Sequence, residues 1–250
     1  MQTPDQVFDG IADKFADNIY GTSKGRLRHI LLCDAIAPWL PETPARVAEL
    51  GGGTGVMAQH IASQGHQVTL FDASDDVLVH AREIARAQPG MHVVQARLQD
   101  VTTLGDYDFI VCHAVLEWLS APYEAIEHIA SQMHEGMRLS LSFFNREAAL
   151  FSNALYGNFD YIRRGMKVKN QVRLNPHSPL PVKAVMAACE SAGLQIVAKT
   201  GIRCFHDYLR DKQQQTECFD DLLALERQYN QQEPYLWLGR YFHLMLERQG

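Results

Sequence analysis

Val47-Ala48-Glu49-Leu50-Gly51-Gly52-Gly53-Thr54-Gly55, followed by Leu70-Phe71-Asp72, is the part of this chain from which its fold can be read. A short apolar strand runs into a glycine-rich turn, a helix follows from Val56 to Ser63, and a second strand ends on an acid. An open α/β sheet holds a nucleoside in this way. The glycines let the backbone approach a ligand at angles closed to other residues, and a carboxylate such as Asp72 can accept both hydroxyls of a ribose. The plain alternative is a tight strand-to-helix connection with Asp72 as a solvated strand end. Gly53-Thr54-Gly55-Val56-Met57-Ala58 also satisfies the Gly-x-Gly-x-x-Gly/Ala pattern of a dinucleotide turn, where a helix N-terminus faces a pyrophosphate. Glu49 argues against that ligand, because an acid beside the turn repels pyrophosphate and attracts an ammonium group.

The 250 residues, 46% hydrophobic and 21% charged, suit one soluble domain with additions. No stretch reaches the apolar length of a membrane span. Met1-Gln2-Thr3-Pro4-Asp5 has neither the basic start nor the apolar core of a secretion signal, so a cytoplasmic protein without a membrane partner is expected. Cys33, Cys112, Cys189, Cys204 and Cys218 form no Cys-x-x-Cys pair; buried thiols are expected, with no disulfide framework and no metal. The formal net charge of −6 excludes a uniformly basic surface but leaves room for a local basic patch.

Helical spacing over 5–17 and 27–40, around the loop Tyr20-Gly21-Thr22-Ser23-Lys24-Gly25, predicts an N-terminal helical lid over residues 1–45, closed by Pro41 and Pro44. Strands are predicted at 46–50, 67–71, 91–95, 107–112, 137–144, 194–205 and 236–247, and helices at 55–64, 74–87, 121–133 and 181–192. This alternation builds a mostly parallel sheet, with Gly65 and Gly136 as helix C-terminal caps. A long helix over 213–232 precedes the last strand. Within the 46–250 domain, residues 145–181 lose the period and gain Gly, Asn, Pro and basic residues. They read as an insertion made of an added helix and a long functional loop.

Glu49 with Gly51, Gly53 and Gly55 resembles the first motif of class I S-adenosylmethionine-dependent methyltransferases, in which the acid faces a bound amine. The resemblance implies an α/β, Rossmann-like sheet of seven strands with an antiparallel last strand. In such enzymes the turn after the third strand contacts the adenine edge, a role that falls to Leu98 and Gln99 here; a helix cap made by Asp100 is the alternative. The fourth strand ends on His113 at the crevice mouth, either as a cofactor contact or as a packed, hydrogen-bonded core histidine.

Over nearly its whole length the chain resembles the tRNA 5-carboxymethoxyuridine methyltransferases, which esterify the carboxylate of a modified wobble uridine. Asn18 to Gly25, Gly51-Gly52-Gly53, His113 to Trp118, Gly157-Asn158-Phe159-Asp160-Tyr161, Lys199 to Arg210, Gln232 to Tyr235 and Leu238 to Tyr241 carry this resemblance. The segments at 157–161 and 199–210 are the more specific, since they lie outside the cofactor motifs. Glu49 and Thr54 depart from the family pattern, standing where a shorter acid and a second acid are expected. The resemblance implies that Arg28, Gly51, Gly52, Asp72, Leu98, Gln99 and His113 contact S-adenosylmethionine, with Arg28 on its carboxylate and Gly53 completing the turn.

The chemistry can be derived independently. A carboxylate with a reference pKa near ~4 is already ionised at neutral pH, so its methylation needs no general base, and no catalytic acid or base is expected. Charge is lost on the way to the transition state, so a dry, aligned pocket supplies the acceleration. Candidate clamps on the carboxylate are Tyr20, Arg203, Tyr208 and Arg240, a one-oxygen grip leaving the other oxygen free to attack. Surface ion pairs for the arginines, and core or lid packing for the tyrosines, are the alternatives. Lys24 and Arg26, and Tyr161, Arg163, Arg164, Lys167, Lys169 and Arg173 beside Phe159, offer phosphate contacts and stacking faces for a tRNA anticodon loop. Without the resemblance the second cluster reads as a solvated basic loop. Rival readings are an NAD-dependent reductase using Tyr208-x-x-x-Lys212, a methyltransferase for a small carboxylic acid, and a non-enzymatic RNA-binding protein.

Overall fold

Strands buried on both faces read as unbroken apolar runs, and the centre of this sheet is built from two of them. These are β1 (Arg46–Leu50), buried at every position after Arg46, and β4 (Phe109–His113), buried up to its last residue. The computed structural model describes Asp5, residues 22–166 and residues 179–250. The helix expected at 5–17 therefore falls, apart from Asp5, outside the described residues, as do Tyr20, Lys167, Lys169 and Arg173.

Around the central pair stand β2 (Gln67–Asp72), β3 (Met91–Gln95), β5 (Arg138–Phe144), β6 (Leu194–Ile202) and β7 (Tyr241–Arg248), in the order β3-β2-β1-β4-β5-β7-β6. The first five are mutually parallel, and β7 runs antiparallel between β5 and β6. This is the sheet expected. α1 (Ser23–Ile36), α2 (Val56–Ala62) and α3 (Asp75–Ala87) belong to one face, and α4 (Pro122–Gln132) and α7 (Val182–Ser191) to the other, each face covered by its own apolar cluster. In the 145–181 insertion lie α5 (Arg146–Leu155) and the short α6 (Phe159–Arg163); α8 (Gln214–Glu217) and α9 (Phe219–Tyr229) precede β7. Among the described residues no helix is long and apolar enough to cross a membrane.

Local chemistry explains where the boundaries differ from expectation. α1 starts at Ser23 rather than 27 because the Thr22 side chain accepts a hydrogen bond from the Gly25 amide, 3.2 Å away. The long helix over 213–232 is broken in two at Cys218, whose φ of −110° and ψ of 35° are not helical. The strand expected at 194–205 stops at Ile202, because Arg203 turns to a φ of 65°. The last strand starts at Tyr241 rather than 236, since Tyr235–Leu238 forms a 3-10 turn that plugs Leu236 into the core. Gly136 is not a helix cap: α4 ends at Gln132, and Gly136 turns the chain into β5 while its amide donates to the Arg248 carbonyl. Cys112, Cys189 and Cys204 are buried as expected, whereas Cys33 is only partly buried and Cys218 is exposed.

Candidate functional site

The glycine turn is fastened to the tip of β2 by its own backbone. The Gly51 amide donates to the Phe71 carbonyl at 2.7 Å, and Asp72 accepts from the Gly53 and Ser74 amides, one on each carboxylate oxygen, both at 2.9 Å. These bonds hold the Asp72 carboxylate in place at the tip of β2. A Cβ on Gly52 would stand 2.5 Å from Leu70 Cγ and 2.9 Å from Glu49 Cδ, so a larger residue there would have to push aside the Leu70 and Glu49 side chains. Gly51, at a φ of 64°, would meet Val115 in the loop after β4.

Glu49 lies beneath this turn with Oε2 buried and without a hydrogen-bond partner. Burial pushes its carboxyl up to about 8, and the nearby Asp72 charge adds to the shift. Arg28, on α1, donates to the Tyr241 hydroxyl at 3.4 Å and lies 5.3 Å from that ring's centre. Leu98 is buried in the 3-10 turn Leu98–Asp100, while Gln99 is exposed and donates to Asp5 at 2.8 Å. No side chain caps that turn, so the capping alternative for Asp100 is not what forms.

His113 does what a core histidine does while standing at a strand tip. Its Nε2 is 2.7 Å from Ser140 Oγ, which is 2.9 Å from His243 Nε2. Burial, helped by His243 and the Arg28 charge, pushes the His113 pKa well below the ordinary imidazole value, so the ring is neutral. Ala114, the next residue, has a φ of 57°. Of the three non-glycine residues in the left-handed region among the described residues, Ala114 and Arg203 both follow strand ends on this edge of the sheet.

Past β6, Arg203, Asp207, Glu226 and Tyr208 are already engaged. Arg203, 7% exposed, sends Nε and Nη2 to the two oxygens of Asp207 at 2.8 and 2.6 Å. Burial alone would raise the Asp207 pKa, yet the guanidinium holds it well below the carboxylate range. The buried Glu226 carboxylate accepts the Cys204, Phe205 and His206 amides at 2.6, 2.9 and 3.0 Å, fixing the turn that carries Arg203. Tyr208 donates its hydroxyl proton to the Leu238 carbonyl at 2.8 Å, while Lys212 is exposed and bonded to the Asp207 carbonyl. A reductase needs that tyrosine proton for substrate, so the Tyr-x-x-x-Lys spacing here is a structural coincidence. Arg240 stacks its guanidinium 4.6 Å from the Phe144 ring centre and is half-buried.

Arg28, Glu49, Gly51, Gly52, Gly53, Asp72, Leu98 and His113 thus come from the carboxyl ends of β1 to β4 and the helix beside them, where an open α/β sheet presents its crevice. Arg203, Tyr208 and Arg240 cluster at the β6–β7 end. Tyr241 joins the two groups: Arg28 and Arg203 lie 5.3 and 5.9 Å from the same ring. Of the basic residues, Lys24 and Arg164 are exposed, Arg26 is exposed with its guanidinium 4.3 Å from the Phe219 ring centre, and Arg163 pairs with Asp160 at 2.6 Å beside half-buried Tyr161. Sequence reasoning missed Asp207, Glu226, Tyr241 and Glu117. Glu117 is buried with both carboxyl oxygens lacking hydrogen-bond partners, and burial pushes it up to about 7. An acid inside the apolar run Val115-Leu116-Glu117-Trp118 was the one visible signal of these four.

Comparison with known proteins agrees with this layout. A family model described as a methyltransferase domain matches residues 25–199. The tRNA 5-carboxymethoxyuridine methyltransferase of Escherichia coli (strain K12) is 42% identical over 248 residues, covering 96% of this chain and 95% of the relative. A ubiquinone biosynthesis O-methyltransferase of Xanthomonas euvesicatoria pv. vesicatoria (strain 85-10) is 34% identical over 125 residues, covering 48% of this chain and 51% of its own. Among solved structures, the magnesium protoporphyrin IX methyltransferase from Synechocystis PCC 6803 superposes with a TM-score of 0.65 at 16% identity, covering 97% of this chain and 96% of that one. A possible histamine N-methyltransferase from Thermotoga maritima gives 0.63 at 14% identity, covering 97% and 98%.

Proposed function

This chain belongs to the tRNA 5-carboxymethoxyuridine methyltransferase family, and from that premise we propose that it methylates the carboxylate of 5-carboxymethoxyuridine at the tRNA wobble position, in the cytoplasm, using S-adenosylmethionine. The observation that carries this reading is the pairing of two sites across Tyr241, one with the acceptors an adenosyl cation needs and one with a cation suited to a carboxylate.

The first site fits the cofactor. Asp72, fixed by two amides, accepts the ribose hydroxyls. Glu49, whose buried Oε2 has no other bond, takes the ammonium, and Arg28 takes the carboxylate. Leu98 and Gln99 border the base, and His113, neutral, adds no charge to repel a cation. When bound, S-adenosylmethionine supplies an electrophilic methyl group on a sulfonium.

The second site holds the nucleophile. Asp207 occupies two of the three guanidinium nitrogens of Arg203, so the remaining edge offers a grip on one oxygen and leaves the other free to attack. Arg240 adds a second cation beside it. Tyr208 serves by anchoring the turn, its proton being committed to Leu238; Tyr20 remains a candidate from outside the described residues. No residue has to accept a proton, because the substrate oxygen carries none at neutral pH. Lys24, Arg26, Tyr161, Arg163, Arg164, Lys167, Lys169 and Arg173 contact the anticodon loop in this reading.

The test is to incubate the protein with methyl-labelled S-adenosylmethionine and tRNA that carries or lacks the carboxymethoxy group, then digest to nucleosides. Base-labile label confined to the carboxylated tRNA is the expected result. Label that survives base, or that appears equally on both tRNAs, rejects the ester and with it this assignment.

A further inference from the structure

Away from the crevice, α1 and α2 bring three soft donors together. His29 and Cys33 stand four residues apart on one face of α1, and His60 projects from α2 to meet them, with one ligand atom of each residue within 4.8 Å of the others. His29 Nε2 is 3.6 Å from Cys33 Sγ, and the two imidazole rings meet edge to face with centres 5.9 Å apart. In a tetrahedral zinc site, bonds of ~2.3 Å to sulfur and ~2.0–2.1 Å to nitrogen set the donors about 3.3–3.6 Å from one another, so little movement is needed. We propose that His29, Cys33 and His60 form a zinc site that staples α1 to α2.

The surroundings favour a soft cation with an open fourth position. Asp34, the nearest acid in sequence, is already held by Arg227 at 2.7 and 3.1 Å. Gln64, 2.9 Å from His60 Nε2, can turn its amide oxygen inward or yield to water. Two imidazoles and a thiolate suit zinc and disfavour magnesium or calcium, which require oxygen ligands. Burial lowers both histidine pKa values, helped at His29 by the His60 and Arg28 charges and outweighing the opposing Asp34 charge at His60, while burial pushes the Cys33 thiol up to about 12. Zinc binding therefore releases the thiol proton to the solvent. Arg28 precedes His29, so the staple also steadies the helix that reaches over the crevice. A search of cysteine spacing alone overlooks this site, because its pair is His-x-x-x-Cys and its third member comes from another helix.

Cobalt is the probe. Titrating the purified full-length protein with Co2+ is expected to give a thiolate-to-cobalt charge-transfer band that saturates at one equivalent, is displaced by Zn2+, vanishes in Cys33→Ser and persists in Cys218→Ser. His60→Ala, a partly exposed position that leaves the core intact, is expected to raise the dissociation constant by more than the ~10–100-fold typical of losing an outer-shell partner. Zn2+ should raise the melting temperature of the wild type and leave that of Cys33→Ser unchanged. Absence of the band, its survival in Cys33→Ser, its loss in Cys218→Ser, or unaltered affinity in His60→Ala overturns the proposal.

Discussion

The tips of β1 and β2 and the turn after β6 solve opposite problems with the same kinds of residue. Under the glycine turn, acids are left short of partners: Glu49 Oε2 has none, and Glu117, after β4, has none on either oxygen. After β6, Glu226 accepts three amides and Asp207 accepts a bidentate arginine. Unpartnered buried acids cost stability, a cost that a bound cation would relieve. Partnered acids fix a geometry that a ligand then meets ready-made. Under the proposed function, one region is completed by what it binds, and the other is rigid before binding.

The sharpest way to break this contrast is at Arg203. Arg203→Ala strands a buried Asp207 carboxylate and should cost ~3–5 kcal/mol in denaturant unfolding. The double variant Arg203→Met/Asp207→Leu is expected to regain most of that stability without regaining methyl transfer, which would separate holding the turn from holding the substrate. Transfer restored in the double variant would place the clamp elsewhere. Next is Asp72→Ala, which removes an anionic acceptor from two amides and from the ribose. At ~1.5–3 kcal/mol for each bond to a charged group, S-adenosylmethionine affinity measured by calorimetry should fall by about 100-fold or more. An undiminished affinity would mean that the cofactor is held by other groups.

The smallest effect sharpens the contrast through pH. Glu49 titrates at about 8 in the folded chain against an ordinary 4.5. Its neutral form is therefore the better tolerated one when folded, and the stability tied to it is present below pH 4.5 and lost as pH rises through 8. Glu49→Gln should thus gain on the wild type by several degrees in melting temperature between pH 5 and 8.5. Binding of a cationic ligand runs the other way, since it needs the ionised acid: wild-type cofactor affinity should rise from pH 6 to 8 by up to tenfold per unit, and that slope should flatten in Glu49→Gln. Parallel profiles in the two proteins would remove Glu49 from the cofactor site.

What could be read in the sequence was whatever is local in it. The run from Val47 to Asp72 contains its strand, its glycines, its helix and its acid within a few turns of chain, and strands β1 and β3 begin and end where their apolar patterns do. Distant partners could not be read. Nothing in the spacing of Cys204 announces that Glu226 takes its amide, and Tyr241 gains its place between Arg28 and Arg203 only when β7 inserts beside β6. Helical periodicity continues across Cys218, so the break in 213–232 was invisible to it. Leu236 continues the apolar pattern of the last strand while belonging to a turn. Each of these misses is a case of tertiary packing overriding a local preference.

The position of β7 has a consequence for how the molecule matures. Seventh in sequence but sixth across the sheet, it links β5 and β6 by hydrogen bonds on both of its sides. On the ribosome, β1 to β5 can assemble while β6 waits without a neighbour, so the half that carries the glycine turn takes shape before the half that carries Arg203. A chain arrested before Tyr241 should then protect its early strands from proteolysis and leave β6 open to cleavage.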